Sequence, residues 1–410
     1  MATDRDFNDM LNEYLPYALL KEEIVKRTYL LQNIDIDDTW DGGTLIVPFK
    51  AGAASSVSYG ALTAANDVAK DTFVRGSISG YKEIWGTMLF ESRDLLEHGR
   101  VSEQNLLRIL PESIDEFMNL FKNTISTNLL IGAHFATLTA DGANGSITVD
   151  RPDRFEIGMK ISVDDDNSAA QAGYVTAINM NTKVVTVEDA RSAGVAVNLT
   201  AYTTAQNAKV YHPGAQADAF SNLKDMLLSA ANGGGSTLYG QTKVTYPYLQ
   251  AINIDGASVT AANILEKLFD AYLDIRKFGK GQPRVALMSY KNWGSAIKVL
   301  EGGKGSYNIV PQSAKTSVYD WDEITVGGPK GKLTLVAVQE ADDDVIPFLD
   351  WRALKFHTNG FVRRERSPDG NEFFVVRNTT GYQYLMDIVV FGELVLSRPS
   401  YCGIMHTIDY

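Results

Sequence analysis

The chain has 410 residues, more than one core accommodates, since single cores stop growing near roughly 250–300 residues; two or three lobes are expected. Hydrophobic residues make up 45% and charged residues 21%, enough apolar surface to offset the entropy of ordering, which argues against disorder over most of the length. A formal charge of −12 with no long Lys/Arg run argues against tight nucleic-acid binding. A single cysteine, Cys402, excludes an internal disulfide and a Cys-based zinc site and fits a reducing cytosol, where it reads as a small buried hydrophobe. The polar start from Met1 to Phe7 lacks a signal-peptide pattern, and no apolar run approaches the roughly 20 residues that span a bilayer. Neither export by that route nor a membrane partner is expected.

In chain order, residues Phe7 to Leu31 read as a broken amphipathic helix, with Met10, Leu11, Tyr14 and Leu15 before Pro16 and Leu19, Leu20, Ile24 and Val25 after it. A strand follows from Thr44 to Phe49. Ala51 to Ala69 is then rich in Gly, Ala and Ser, and a second strand is predicted from Phe73 to Ile84. Together these describe a long hairpin with little to bury within its own subunit. Pro111 and Glu112 are predicted to open a helix carrying Ile114, Phe117, Met118, Phe121, Ile125 and Leu129, which Gly132 stops; a shorter helical stretch from Ser102 to Leu110 leads in.

Helical periodicity vanishes from Thr137 to Tyr211, where short alternating strands appear: Ile147 to Val149, Lys160 to Val163, Tyr174 to Ile178 and Val184 to Val187. A separate small β-barrel or sandwich, inserted between helical regions, is predicted there. Helices are predicted from Gln216 to Ala231 and from Thr260 to Phe278. The strand Arg284 to Met288 leads through Ser289 as N-cap into a helix from Tyr290 to Leu300. The remainder reads as strands: Lys332 to Val338, Val345 to Leu349, Ala353 to His357, Phe361 to Arg366, Glu372 to Arg377 and Tyr384 to Leu396. The turn Ser367 to Asn371 joins two of them.

No pattern of catalytic chemistry emerges. The five histidines, His98, His134, His212, His357 and His406, lack metal-ligand spacing. Gly327 to Lys332 is followed by Leu333 where a phosphate-binding loop needs Ser or Thr, and Gly302 to Gly305 lacks a dinucleotide fingerprint; both read as flexible loops. The runs Asp164 to Asp166 and Asp342 to Asp344 read as solvated acidic turns, the first lacking the Gly and Glu of a calcium loop. No Gly-x-Ser-x-Gly elbow is present, and no basic residue adjoins Cys402. No enzyme activity, cofactor or metal is expected.

The order of these segments, with Ala286 to Trp293, Val345 to Asp350 and Gly392 to Leu396 as local text, resembles the tailed-bacteriophage major capsid family, whose α+β fold is of the Hong Kong 97 type. The resemblance implies an N-terminal arm (1–49), an extended E-loop (50–84), a peripheral (P) domain with a spine helix (85–136), an all-β insertion domain (137–211), an axial (A) domain (212–351) and P-domain strands with a P-loop that return to the A domain (352–410). It implies a shell of hexamers and pentamers, icosahedral or prolate, enclosing double-stranded DNA and assembled in a bacterial cytoplasm. Expected partners are other copies of the chain, a portal and a scaffolding protein, the last a separate protein because the arm-like sequence starts almost at Met1; a decoration protein is a further candidate. The candidate assembly residues are Lys70, Asp71, Arg75 and Lys82 in the E-loop and Arg363, Arg364, Arg366 and Asp369 near the P-loop, with Glu91, Asp94 and Glu97 as candidate charge partners of the first group. Some members crosslink through lysine, but no environment legible around Lys50, Lys70 or Lys82 would deprotonate one. The competing readings are an encapsulin-like compartment shell, which shares the fold, and a cell-surface binding protein with the β segment as its ligand module.

Overall fold

A computed structural model describes residues 22, 24–26, 28–50, 73–91, 103–165, 169–191, 194–215, 219–279, 281–302, 323–328, 331–365, 374–378 and 381–410. The chain divides into two compact units, one formed by Met1–Ser126 with Ser221–Tyr410 and the other by Thr127–Phe220. The elements in order begin with α1 (Tyr29–Asn33), β1 (Asp35–Asp37), β2 (Thr44–Lys50), β3 (Phe73–Ser79), β4 (Lys82–Glu91) and α2 (Glu103–Leu130). The second unit holds β5 (His134–Ala143), β6 (Ser146–Val149), β7 (Lys160–Asp164), β8 (Gln171–Asn179), β9 (Val184–Glu188) and β10 (Lys209–Tyr211). Then come α3 (Leu223–Leu227), β11 (Thr237–Leu238), β12 (Gln241–Thr242), β13 (Ile252–Asp255), α4 (Ile264–Asp274), β14 (Val285–Met288) and α5 (Tyr290–Gly302). Last are β15 (Glu323–Gly328), β16 (Gly331–Ala337), β17 (Ile346–Leu349), β18 (Leu354–His357), β19 (Val362–Arg364), β20 (Phe374–Asn378), β21 (Gly381–Leu396) and β22 (Gly403–His406).

In the first unit one sheet is organised around β21, a 16-residue strand. It pairs antiparallel with β4 from Gln383↔Glu91 to Gly392↔Lys82, while β20 and β19 pair with it over positions that β4 also pairs and therefore occupy its opposite edge. The near-continuous apolar run from Leu385 to Val390 suits a strand buried on both faces, and Met386, Ile388, Val389 and Val390 are fully buried. Helix α2 lies on one face: a Cβ on Gly86 would fall 2.7 Å from the Phe117 ring and 2.9 Å from that of Phe121. Its buried stripe, Ile114, Met118, Phe121, Ile125 and Leu129, recurs at three- and four-residue steps. The second sheet, β13-β22-β17-β14-β16-β15, packs on α4 and α5 through Ile264, Leu268, Tyr272, Ala296, Ile346 and Phe348.

The second unit is a closed barrel in the order β10-β5-β6-β9-β8-β7. Alternate residues point inward, and Val149, Ile161, Val163, Val175, Val185 and Val210 are wholly shielded. Side chains fill the interior. In the turn between β8 and β9 the Asn179 side-chain oxygen accepts the N–H groups of Asn181 and Thr182.

Several expectations are corrected. Helix α2 runs without interruption from Glu103 through Pro111, so the two predicted helices are one. Proline removes a single N–H from a long ladder, and the apolar stripe beyond it holds the helix. The run Phe73 to Ile84 is two strands in different sheets, separated at Gly80, which adopts φ +72. The boundary drawn at 84/85 consequently falls inside β4. Of the helix expected from Gln216 to Ala231, residues 216–218 lie outside the described ones, and the part from Ser221 onward holds only α3, because Asn222 caps it by accepting the Asp225 N–H and Leu228 is already extended. The described residues of the stretch Gly327 to Lys332 belong to strands, β15 and β16 pairing as far as Gly328↔Gly331, while Pro329 and Lys330 lie outside the described residues. Strands β1, β13, β15 and β22 had no counterpart in the sequence reading.

Candidate assembly surface

The register of β2 and β3, from Thr44↔Ser79 to Lys50↔Phe73, places opposing residues on a common face. Val47 and Phe49 on one face are buried, and the Phe49 ring stacks on Tyr239 at 5.7 Å. The Ser77 N–H donates to the Tyr239 carbonyl at 3.0 Å, and the Gln241 side chain donates to the Arg75 carbonyl at 3.0 Å. The base of the hairpin is therefore anchored in its own unit, contrary to the expectation that it buries little there. Tyr239 has positive φ and is half-buried; its hydroxyl, shielded inside, accepts the Leu396 N–H of β21, and that desolvation raises its phenol pKa. The opposite face of the ribbon exposes Ile46 (56%), Phe73 (65%) and the cation Arg75.

Strand β4 is two-faced in the same way. Gly86 and Met88 turn towards α2, whereas Trp85 (51%) and Leu89 (42%) are exposed. Carboxylates surround this second pair. Trp85 Nε1 donates to Glu83 at 3.0 Å, and the Thr87 hydroxyl donates at 2.6 Å to Asp387 on β21. The ribbon thus presents apolar groups with a cation, and the sheet presents apolar groups with anions.

Of the sequence-derived candidates, Lys70, Asp71, Arg366 and Asp369 lie outside the described residues, as do Asp94 and Glu97. Arg75 stands on the ribbon. Lys82 begins β4 beside Glu393, whose carboxyl accepts the Ser221 N–H at 2.6 Å; burial raises the pKa of Glu393 and the Lys82 charge opposes that rise. Arg363 and Arg364 lie on β19, across β21 from β4. Arg363 is exposed, donates to the Asn359 carbonyl at 2.8 Å and rests over the Phe391 ring. The structure brings Lys82, Arg363 and Arg364 to one sheet and leaves Arg75 on the separate ribbon. Trp85 and Leu89 were missed because every apolar residue of β4 reads alike until α2 shows which face is covered.

The remaining candidate chemistry has structural employment. Asp342 and Asp344 hold Lys224 at 3.0 and 3.3 Å, so this turn is an ion-paired tie and not merely solvated. Burial pushes the Cys402 thiol up to about 12, which leaves it un-ionised. His357 lies 3.5 Å from Asp37, and the His212 ring packs 4.7 Å from that of Phe135. Among the described residues no group of His, Cys, Asp and Glu could hold a metal ion, and no helix is long and apolar enough to cross a membrane.

No protein-family model matches the sequence, and no curated protein is similar to it. Solved structures are similar. A chain of the cyanophage A-1(L) capsid asymmetric unit aligns with 92% of this chain and 91% of its own length, at 13% identity and a TM-score of 0.50. The capsid of a native GTA particle aligns over 93% and 91% at 9% identity and a TM-score of 0.46. The encapsulin SrpI of Synechococcus elongatus PCC 7942 aligns over 94% and 89% at 7% identity and a TM-score of 0.41. Over nearly its whole length, the chain has the α+β, Hong Kong 97-type fold of tailed-phage capsid proteins.

Proposed function

We propose that the chain is the major capsid protein of a tailed bacteriophage, a subunit that acts by self-assembly. The fold supports this, and one observation carries it further: two exposed strand faces on one chain have matching chemistry. The ribbon offers Ile46, Phe73 and Arg75, and the sheet offers Trp85, Leu89, Glu83 and Asp387. A ribbon seated on the next subunit's sheet is a head-to-tail contact, which closes into rings when the rotation fits. Pentamers and hexamers joined in this way build the shell, and burial of the apolar pairs supplies most of the drive. In this reading residues 1–49 are the arm, 50–84 the E-loop, and the barrel an accessory domain inserted at 137–211. A portal and a scaffolding protein complete the head around double-stranded DNA inside the host cytoplasm.

Electron microscopy of the purified protein tests the proposal. Closed shells, tubes or isolated pentamers and hexamers are the expected result. A protein that stays monomeric through concentration and molecular crowding would contradict it.

A further inference from the structure

On a chain that carries 50 acidic and 38 basic residues, one edge of the first unit is basic. The edge forms where the turn after α4 meets the turn before β22. Gly279 and Gly281 approach so closely that a Cβ on either would fall 2.1 Å from the Ser400 carbonyl oxygen or 2.2 Å from that of Tyr401. This backbone contact brings Lys277 and Phe278 beside Arg398 and Tyr401. Arg352 joins them through Asp350, whose carboxylate holds the Arg352 side chain and accepts the N–H of Gln282, next to Gly281. Arg284 is exposed two residues beyond Gln282, whose N–H points at Asp350.

What holds these cations matters more than their number. Lys277 sits 4.9 Å above the Phe278 ring, and Arg398 sits 5.3 Å from that of Tyr401. An aromatic ring positions a cation without cancelling its charge, as a carboxylate would. Among the described residues no carboxylate pairs with Lys277, Arg284 or Arg398. Arg352 is gripped by the buried Asp350 through two hydrogen bonds of 2.9 and 2.6 Å, yet its side chain stays 59% exposed. Asp274, in the last turn of α4, is the other acidic group nearby in sequence. A fixed, largely unneutralised set of cations on a surface that otherwise repels polyanions is a contact point for one.

We propose that this edge, Lys277, Arg284, Arg352 and Arg398, is where the subunit touches the phosphate backbone of enclosed duplex DNA. The proposal rests on the shell reading. Lys277 lies over one face of Phe278, which itself stays 63% exposed; duplex DNA is taken as the polyanion because the shell reading encloses it beside every subunit. Such a contact is weak and independent of sequence. Three or four phosphates neutralised give a salt slope of about −3 in log K against log[salt]. The shell then repels DNA generally and meets it at one repeated point per subunit.

The test uses the free full-length subunit and a 30-base-pair duplex of random sequence in fluorescence anisotropy, from about 20 to 200 mM salt. Lys277→Gln with Arg398→Gln should weaken binding about tenfold at the low end and flatten the slope by about 2, while Lys183→Gln on the barrel changes neither. Arg352 is left in place because removing it would strand the buried Asp350. Thermal melts confirm that the variants fold. Equal binding by a folded double variant, a slope near zero in the unsubstituted protein, or stronger competition by polyglutamate than by duplex would each overturn the proposal. Particle formation is scored separately: its absence from the unsubstituted protein counts against the shell reading, and the anisotropy of the free subunit still decides this one.

Discussion

The barrel of residues 127–220 and the β21 sheet of the first unit are both built of antiparallel strands, but they place exposed apolar groups differently. On the barrel these groups are Ile157, Met180 and Val195, all in turns or loops, while strands such as β6, β7 and β9 alternate between a shielded interior and a more exposed outside. On the ribbon and the sheet they are Ile46, Phe73, Trp85 and Leu89, all within strands. Closure removes strand edges and lets a β unit satisfy itself. At the β4 strand of the β21 sheet α2 covers one face, while Trp85 and Leu89 on the other are left wanting a partner. Self-sufficiency in one unit and incompleteness in the other fit the proposed shell subunit, with the barrel as its accessory domain.

Substitutions at matched depth sharpen the contrast. Trp85→Glu with Leu89→Glu places charge on the open face and should abolish particle formation in sedimentation and microscopy. The subunit's melt should hardly move, because exposed positions contribute within about 0.5 kcal/mol each. Val175→Asp does the opposite. A carboxylate in the filled barrel has no partner, and the loss of about 4 kcal/mol or more should erase the barrel's unfolding transition in calorimetry.

A smaller effect separates the units by pH. Burial drops the His212 pKa from 6.5 to about 4, so the unfolded chain binds a proton that the folded barrel refuses. The stabilisation is complete above about 6.5 and is lost as pH falls from there towards 4. A shift of that size corresponds to about 3 kcal/mol, and partial water access to the ring brings the expected loss nearer about 2. His212→Phe, which keeps the ring against Phe135, should remove that part of the acid sensitivity in thermal melts at pH 4 and 7.

Much of this fold was legible because local pattern and final environment agreed. The barrel strands β6, β7 and β9 alternate, the α2 stripe keeps its period past Pro111, and the β21 run could only be buried. Failures share a cause: the deciding partner is distant in sequence. Strands β13 and β22 pair parallel to each other from Ile252↔Gly403 to Asp255↔His406, 151 residues apart, and β1, only Asp35–Asp37, exists because β18 lies alongside. Gly80 was too little punctuation to show that one β run served two sheets. For the site, charge alone pointed to Arg75, Lys82, Arg363 and Arg364. The structure employs Lys82 and Arg363 partly inside their own unit and marks the open face by Trp85 and Leu89 instead. The anchoring of Phe49 on Tyr239 also narrows what can be deleted from the hairpin. Cutting back to Gly76 would remove β3 residues that the subunit's own core uses.

Seating of one subunit's ribbon on the next subunit's sheet can be trapped with Ile46→Cys and Leu89→Cys in assembled particles; the native Cys402 is buried and does not compete. Treatment with a flexible bismaleimide should give a ladder on denaturing gels that rises from dimers to pentamers and hexamers, while each single-cysteine variant gives monomers. Particles of normal size that yield only monomer, or only intrachain product, would contradict the account.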